Sequence, residues 1–161
     1  VQHYGCAALQ KLAENENNKE KIVYKKGIMM ILSAMNTHPS NADVQCNCCA
    51  ALWNLTLNDN NKVSIVAAGG ITSILDAMKI HSSNADVQHY GCAALSNLAV
   101  NDYFSEAITA AGGITTILSA LKIHSSNADM QRYGCAALSN LAVNDSFSVA
   151  ITAAKPAQII F

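Results

Sequence analysis

The chain has 161 residues, of which 51% are hydrophobic and 13% charged, with 10 Lys+Arg against 11 Asp+Glu. That balance excludes a disordered chain and gives no global field toward nucleic acid or an anionic membrane. No stretch approaches the ~18 apolar residues of a membrane span, and with only two prolines helices are permitted almost throughout.

In chain order, the elements repeat with a fixed period. Val1-Gln2 recurs as Val44-Gln45, Val87-Gln88 and Met130-Gln131, 43 residues apart each time. Cys6-Ala7-Ala8-Leu9 returns at Cys49, Cys92 and Cys135, Gly27 at Gly70 and Gly113, and His38 at His81 and His124. Residues 44–86 and 87–129 share 28 identities in 43 positions. Such a period without strand signals points to an α-solenoid, whose units bury their apolar faces only against neighbours.

The chain divides into a lone long helix at 1–15, full repeats at 16–58, 59–101 and 102–144, and a partial repeat at 145–161, all within one domain. Within a period, a long helix is expected from about Ala42 to Asn58. Ser40-Asn41-Ala42-Asp43 opens it with a capping residue and a first-turn carboxylate. Val44, Cys48, Ala51, Leu52 and Leu55 form its apolar stripe. Asn58-Asp59 can cap a short helix, about Asn60–Ala68, with Val63 and Val66 spaced for one face. Gly69-Gly70 breaks it. A helix from Ile71 to about His81 follows, apolar at Ile71, Ile74, Leu75 and Met78.

Short helix, double-glycine corner, medium helix, and long helix ending in Leu-x-Asn-Leu: this order resembles the armadillo repeat. It is carried by Ile65-Val66-Ala67-Ala68-Gly69-Gly70-Ile71 and Ala50-Ala51-Leu52-Trp53-Asn54-Leu55, and by their copies Ile108–Ile114 and Ala93–Leu98. Both motifs recur in fixed phase over the whole chain except its last few residues. HEAT repeats, the neighbouring alternative, usually carry a proline in the first helix, which is absent here. The resemblance implies an all-α, right-handed α-solenoid of armadillo repeats, three helices each.

In armadillo proteins such as importin-alpha and beta-catenin, the Asn of Leu-x-Asn-Leu faces the concave groove. The resemblance carries that role to Asn54, Asn97 and Asn140, with Lys11 at the first matching position. An amide carries donors and an acceptor, so a ladder of them can hold the backbone of an extended peptide. The plainer alternative is that each Asn bonds its own helix or a loop. Stepping back along the helix gives further groove-facing columns. Four residues back stand Ala50, Ala93 and Ala136, where importin-alpha has the tryptophans of its lysine slots; their lack here argues against a nuclear-import receptor. Seven back stand Tyr4, Asn47, Tyr90 and Tyr133, and eight back His3, Cys46, His89 and Arg132. Tyr is a common anchor in binding surfaces, although this column can also pack between adjacent long helices. Trp53, beside Asn54, reads equally as a groove hot spot or as a core filler.

Other residues invite chemistry without supporting it. Cys46-Asn47-Cys48-Cys49 lies mid-helix, not in the C-x-x-C loops of metal clusters. Equivalent cysteines of neighbouring repeats are separated by the ~10 Å of helix packing, beyond the ~7 Å Cα limit of a disulfide. Small-core packing with free thiols is expected, hence a reducing compartment, cytoplasmic or nuclear. Gly5, Gly91 and Gly134 stand where Cys48 does, and are read as places of close helix approach. His38, His81 and His124 end the medium helices and suit capping. No nucleophile–base constellation, phosphate loop, cofactor motif or metal set emerges, so the expectation is a non-enzyme without cofactor. Arg132 and Lys11 are a thin electrostatic basis for nucleic acid.

The expected function is a protein-interaction scaffold whose groove holds an extended peptide. The alternatives are a structural or self-associating segment of a larger protein, stacking through uncapped ends, and a consensus-derived designed scaffold.

Overall fold

The structure, a computed structural model, describes residues 2–24 and 26–143, with the side chains of Gln2, His3, Tyr4, Glu16, Glu20, Val23 and Tyr24 outside the description. The expected partial repeat at 145–161 also lies outside it. The described residues form ten helices: α1 (Gln2–Leu12), α2 (Glu16–Tyr24), α3 (Gly27–Thr37), α4 (Ala42–Leu55), α5 (Asp59–Ala67), α6 (Gly70–Ile80), α7 (Ala85–Leu98), α8 (Asp102–Ala110), α9 (Gly113–Ile123) and α10 (Ala128–Ala142). Each 43-residue period holds a short, a medium and a long helix, and the molecule is an all-α solenoid. The long helices α1, α4, α7 and α10 stack side by side as one row, and α3, α6 and α9 form a second row behind them.

Local chemistry starts each long helix. Asn41, Asn84 and Asn127 hold extended backbone, and each Oδ1 accepts the N–H three residues on, at 3.1, 3.1 and 2.9 Å. The predicted stripe of α4 is buried throughout: Val44 at 2% exposure, and Cys48, Ala51, Leu52 and Leu55 at 0%. So is that of α6, from Ile71 to Met78. These faces merge into one core running the length of the row.

Two expectations change. The long helix ends at Leu55, not Asn58. Asn58 adopts extended backbone to cap α5 through Asn61 N–H, and a residue in that conformation cannot also continue a helix. The buried face of α5 is Asn61 and Ile65, not Val63 and Val66: Val63 is exposed and Val66 only half-buried. The cause is the corner that follows. Gly69 takes a left-handed φ of 85°, α5 and α6 meet at 74°, and Gly70 is driven onto Ile65.

A device absent from the sequence reading closes the medium helices. Gln45 Nε2 donates to Met35 O and His38 O, both at 2.9 Å, and Gln88 Nε2 to Met78 O at 2.8 Å and His81 O at 3.0 Å. Gln131 repeats the pattern on Leu121 O and His124 O. The last carbonyls of a helix have no partner within it, and one buried amide here serves two of them. The histidines do end these helices, and two of them also reach across repeats: the His81 ring Nε2 meets Pro39 O at 2.7 Å, and that of His124 meets Ser82 O at 2.8 Å.

Candidate functional site: the face of the long helices

Asn54, Asn97 and Asn140 lie near the C-terminal ends of α4, α7 and α10, half-buried. Each donates through Nδ2 to the preceding long helix or the turn just after it. Asn54 reaches Gln10 O at 3.4 Å, Asn97 reaches Thr56 Oγ1 at 3.1 Å, and Asn140 reaches Ser96 O at 3.0 Å. The ladder of amides therefore also stitches the row together. Among the described residues no group donates to any of the three Oδ1 atoms. Each Asn retains that acceptor, and Asn54 and Asn97 each retain one N–H, while Asn140 Nδ2 also donates to Ser96 Oγ at 3.5 Å.

Four rings converge on this face, Trp53 from the C-terminal end of α4 and His89, Tyr90 and Tyr133 from the N-terminal halves of α7 and α10. Trp53 lies 5.8 Å from Tyr90, 6.0 Å from His89 and 5.7 Å from Tyr133 between ring centroids. His89 packs edge-on against Tyr90 at 4.7 Å and Tyr133 at 4.9 Å. Edge-to-face pairs of this separation are attractive beyond their buried area. Arg132 covers the remaining side of Tyr133, its guanidinium carbon 4.5 Å from the ring centroid. The guanidinium is 4.0 Å from Asp129. Trp53 and Tyr133 meet although α7 runs between their helices. Two helix spacings of ~10 Å separate α4 from α10, so these two side chains extend over α7 toward one another.

All four rings are half-buried, and Trp53, Tyr90 and Tyr133 pack against the continuous core. Burial lowers the affinity of His89 for a proton; Asp129 and Asp86 oppose that, and Arg132 reinforces it. Burial likewise raises the Tyr90 hydroxyl. Cys46, in the same column as His89, is pushed up to about 11 by burial and by Asp86 and Asp43, which keeps it a neutral thiol. Lys11 is exposed and pairs with Glu14 at 3.0 Å; both charges act on Tyr90, which places them beside the same groove. Tyr4 falls on α1, with its side chain outside the described residues.

The alanine column departs from its expected place. Ala50 and Ala93 are 1% and 0% exposed and stand apart from the continuous core, so they are covered from the groove side instead of forming an open floor. The cysteine column is buried at Cys6, Cys49 and Cys92, while Cys135 is exposed. Burial pushes Cys92 up to about 12 and raises Cys49 as well. The expected separation concerned equivalent cysteines, but a non-equivalent pair comes together: Cys48 Sγ is 3.2 Å from Cys6 Sγ. The two belong to different columns, so the ~10 Å spacing of equivalent positions does not apply to them. Among the described residues no group of three or more His, Cys, Asp or Glu is placed to hold a metal ion. A depression of about 340 Å³ lies away from the groove, between α3 and α6, lined by Met35, Pro39, Asp76 and Ile80 among others.

The sequence matches the family described as the LRRK2 ARM repeat over residues 1–154. No curated protein matches the chain. Among solved structures, two crystal structures of engineered proteins from the Northeast Structural Genomics Consortium superpose with TM-scores of 0.80 and 0.82, at 24% and 26% identity. Each alignment covers 94% of this chain, but the chain spans only 61% of the first and 36% of the second.

Proposed function

The chain belongs to the LRRK2 ARM repeat family, and on that premise we propose that this helical-repeat scaffold is a protein-interaction module whose concave face holds an extended peptide segment. The observation that supports the reading is the remaining hydrogen-bonding capacity of Asn54, Asn97 and Asn140. Each keeps Oδ1, and Asn54 and Asn97 also keep one N–H. An acceptor in every repeat and a donor in two of them match the N–H and carbonyl that an extended peptide presents unpaired. Being tied to the preceding repeat, the amides are held in place before binding, which lowers the ordering cost of capture. Tyr90, Tyr133 and Trp53, with His89 and Arg132, form the adjacent surface that selects side chains, and Lys11 and Glu14 extend it toward α1.

Panning phage-displayed random dodecamers against the chain tests this. Selected peptides should bind the parent and lose at least tenfold in affinity to the Asn54→Ala, Asn97→Ala, Asn140→Ala triple variant, whose circular dichroism shows the helices retained. Equal binding to both would sink the groove reading.

A second reading, a self-associating structural segment, is favoured by one observation. Leu57, Val100 and Val143 occupy the same place in successive repeats and are 59%, 67% and 79% exposed, an apolar stripe along one edge. Light scattering over a wide concentration range distinguishes the two: a mass that stays monomeric removes the second.

A further inference from the structure

We propose that Cys6 and Cys48 form a modification site: a buried dithiol that hydrogen peroxide converts into an intramolecular disulfide tying α1 to α4. Cys6 is 3% exposed and Cys48 0%, and their sulfurs are 3.2 Å apart, with the Cys48 thiol donating to Cys6. No large rearrangement is needed to bring the two sulfurs together.

The pairing is specific to this interface. Its counterparts in the next two are Cys49 with Gly91 and Cys92 with Gly134, where the second partner has no side chain. At those glycines the space is filled from the medium helix instead: a Cβ on Gly91 would lie 2.7 Å from Met78 Sδ, and one on Gly134 2.6 Å from Leu121 Cδ2. Of these three offset pairs, only the one between α1 and α4 has a cysteine at both positions.

The chemistry balances with peroxide as the sole oxidant. Cys6 accepts the hydrogen bond from Cys48, and the thiolate is the nucleophilic form of a cysteine. That thiolate attacks one peroxide oxygen; the O–O bond breaks, leaving a sulfenic acid and, after proton transfer, one water. The Cys48 sulfur, losing its proton, then attacks the Cys6 sulfur. The S–O bond breaks and a second water leaves. Two thiols and one peroxide become one disulfide and two waters. Burial raises the Cys48 thiol and slows the second step, and peroxide reaches the buried pair through local opening of the α1–α4 interface. The product closes a long loop and should stabilise the docking of α1. It thereby holds Gln10, whose carbonyl accepts from Asn54.

The test treats the 161-residue chain with hydrogen peroxide, alkylates the remaining thiols in denaturant, and records intact mass and linked tryptic peptides. Two of the six cysteines should escape alkylation, with monomer mass and reversal by dithiothreitol. The peptide 1–11 should appear linked to 27–62, which carries Cys46, Cys48 and Cys49. Cys6→Ser and Cys48→Gly should each abolish the link, Cys46→Ser should leave it, and the oxidised parent should melt higher than the reduced one. Cys48→Ala serves if Cys48→Gly loses helicity. Six alkylated thiols, a link that survives in a folded Cys48 variant, or a link between chains would each overturn the proposal.

Discussion

Gln88 shows how much one side chain carries in a repeat with few charges. It is 1% exposed and bonds two carbonyls that end α6. Gln88→Leu keeps the bulk and removes both bonds, leaving Met78 O without its partner while His81 O keeps the Asn84 N–H. The expected loss is about 1–3 kcal/mol, measured by urea unfolding; Gln131→Leu, at a half-exposed site, should lose less. Lys26 is the opposite case. It adopts the left-handed φ of 61° where the later repeats place Gly69 and Gly112. An L-residue there costs ~1–2 kcal/mol. Lys26→Gly should therefore raise Tm, a gain reduced by the greater freedom of glycine in the unfolded chain. A lower Tm would show that the Lys26 side chain contributes more than its backbone conformation costs.

At the scale of elements, the corner between short and medium helix is the tightest joint in each repeat. A Cβ on Gly70 would meet Ile65 Cγ2 and lie 2.8 Å from Ile65 O, so backbone has to move. At Gly69 the surrounding space is open and only the positive φ, 85°, resists substitution. Gly70→Ala should accordingly cost more than the ~1–2 kcal/mol expected of Gly69→Ala, read as the difference in urea midpoint between the two variants. The caps of these helices were legible in the sequence because they are local: Asn41, Asn84 and Asn127 bond N–H groups two or three residues away. The buried face of α5 was not. Val63 and Val66 have suitable spacing, but the 74° corner turns Ile65 inward instead, and a nine-residue helix has too few turns for spacing alone to decide its orientation.

Across the whole molecule, stability is approximately a sum of repeats and of interfaces between neighbours. The ring cluster adds a link that skips a repeat, since Trp53 on α4 touches Tyr133 on α10. His89 lies within it with its pKa lowered from 6.5, chiefly by burial. The folded state therefore takes up this proton less readily than the unfolded state. Its contribution is intact above about pH 6.5 and is lost as pH falls from there through the lowered folded value. Melting curves between pH 8 and 5 should show the parent losing more Tm on acidification than His89→Gln. Parallel curves would show that His89 titrates as it does in the unfolded chain.

The 43-residue period, the glycine corners, the asparagine caps and the apolar stripes determined three helices per repeat and their stacking into a row, because each acts within a few residues or recurs at every copy. Asn54, Asn97 and Asn140 were likewise legible as a ladder along one face. What these side chains touch was decided only in three dimensions. The bonds between repeats span 44 residues from Asn54 to Gln10, 41 from Asn97 to Thr56, and 42 both from His81 to Pro39 and from Cys48 to Cys6. None equals the period. Equivalent positions are held apart by the distance between packed helices, so the groups that meet are those offset along the chain toward one another. The packing of the helices sets that offset, and it also brings the rings of Trp53 and Tyr133 together over α7.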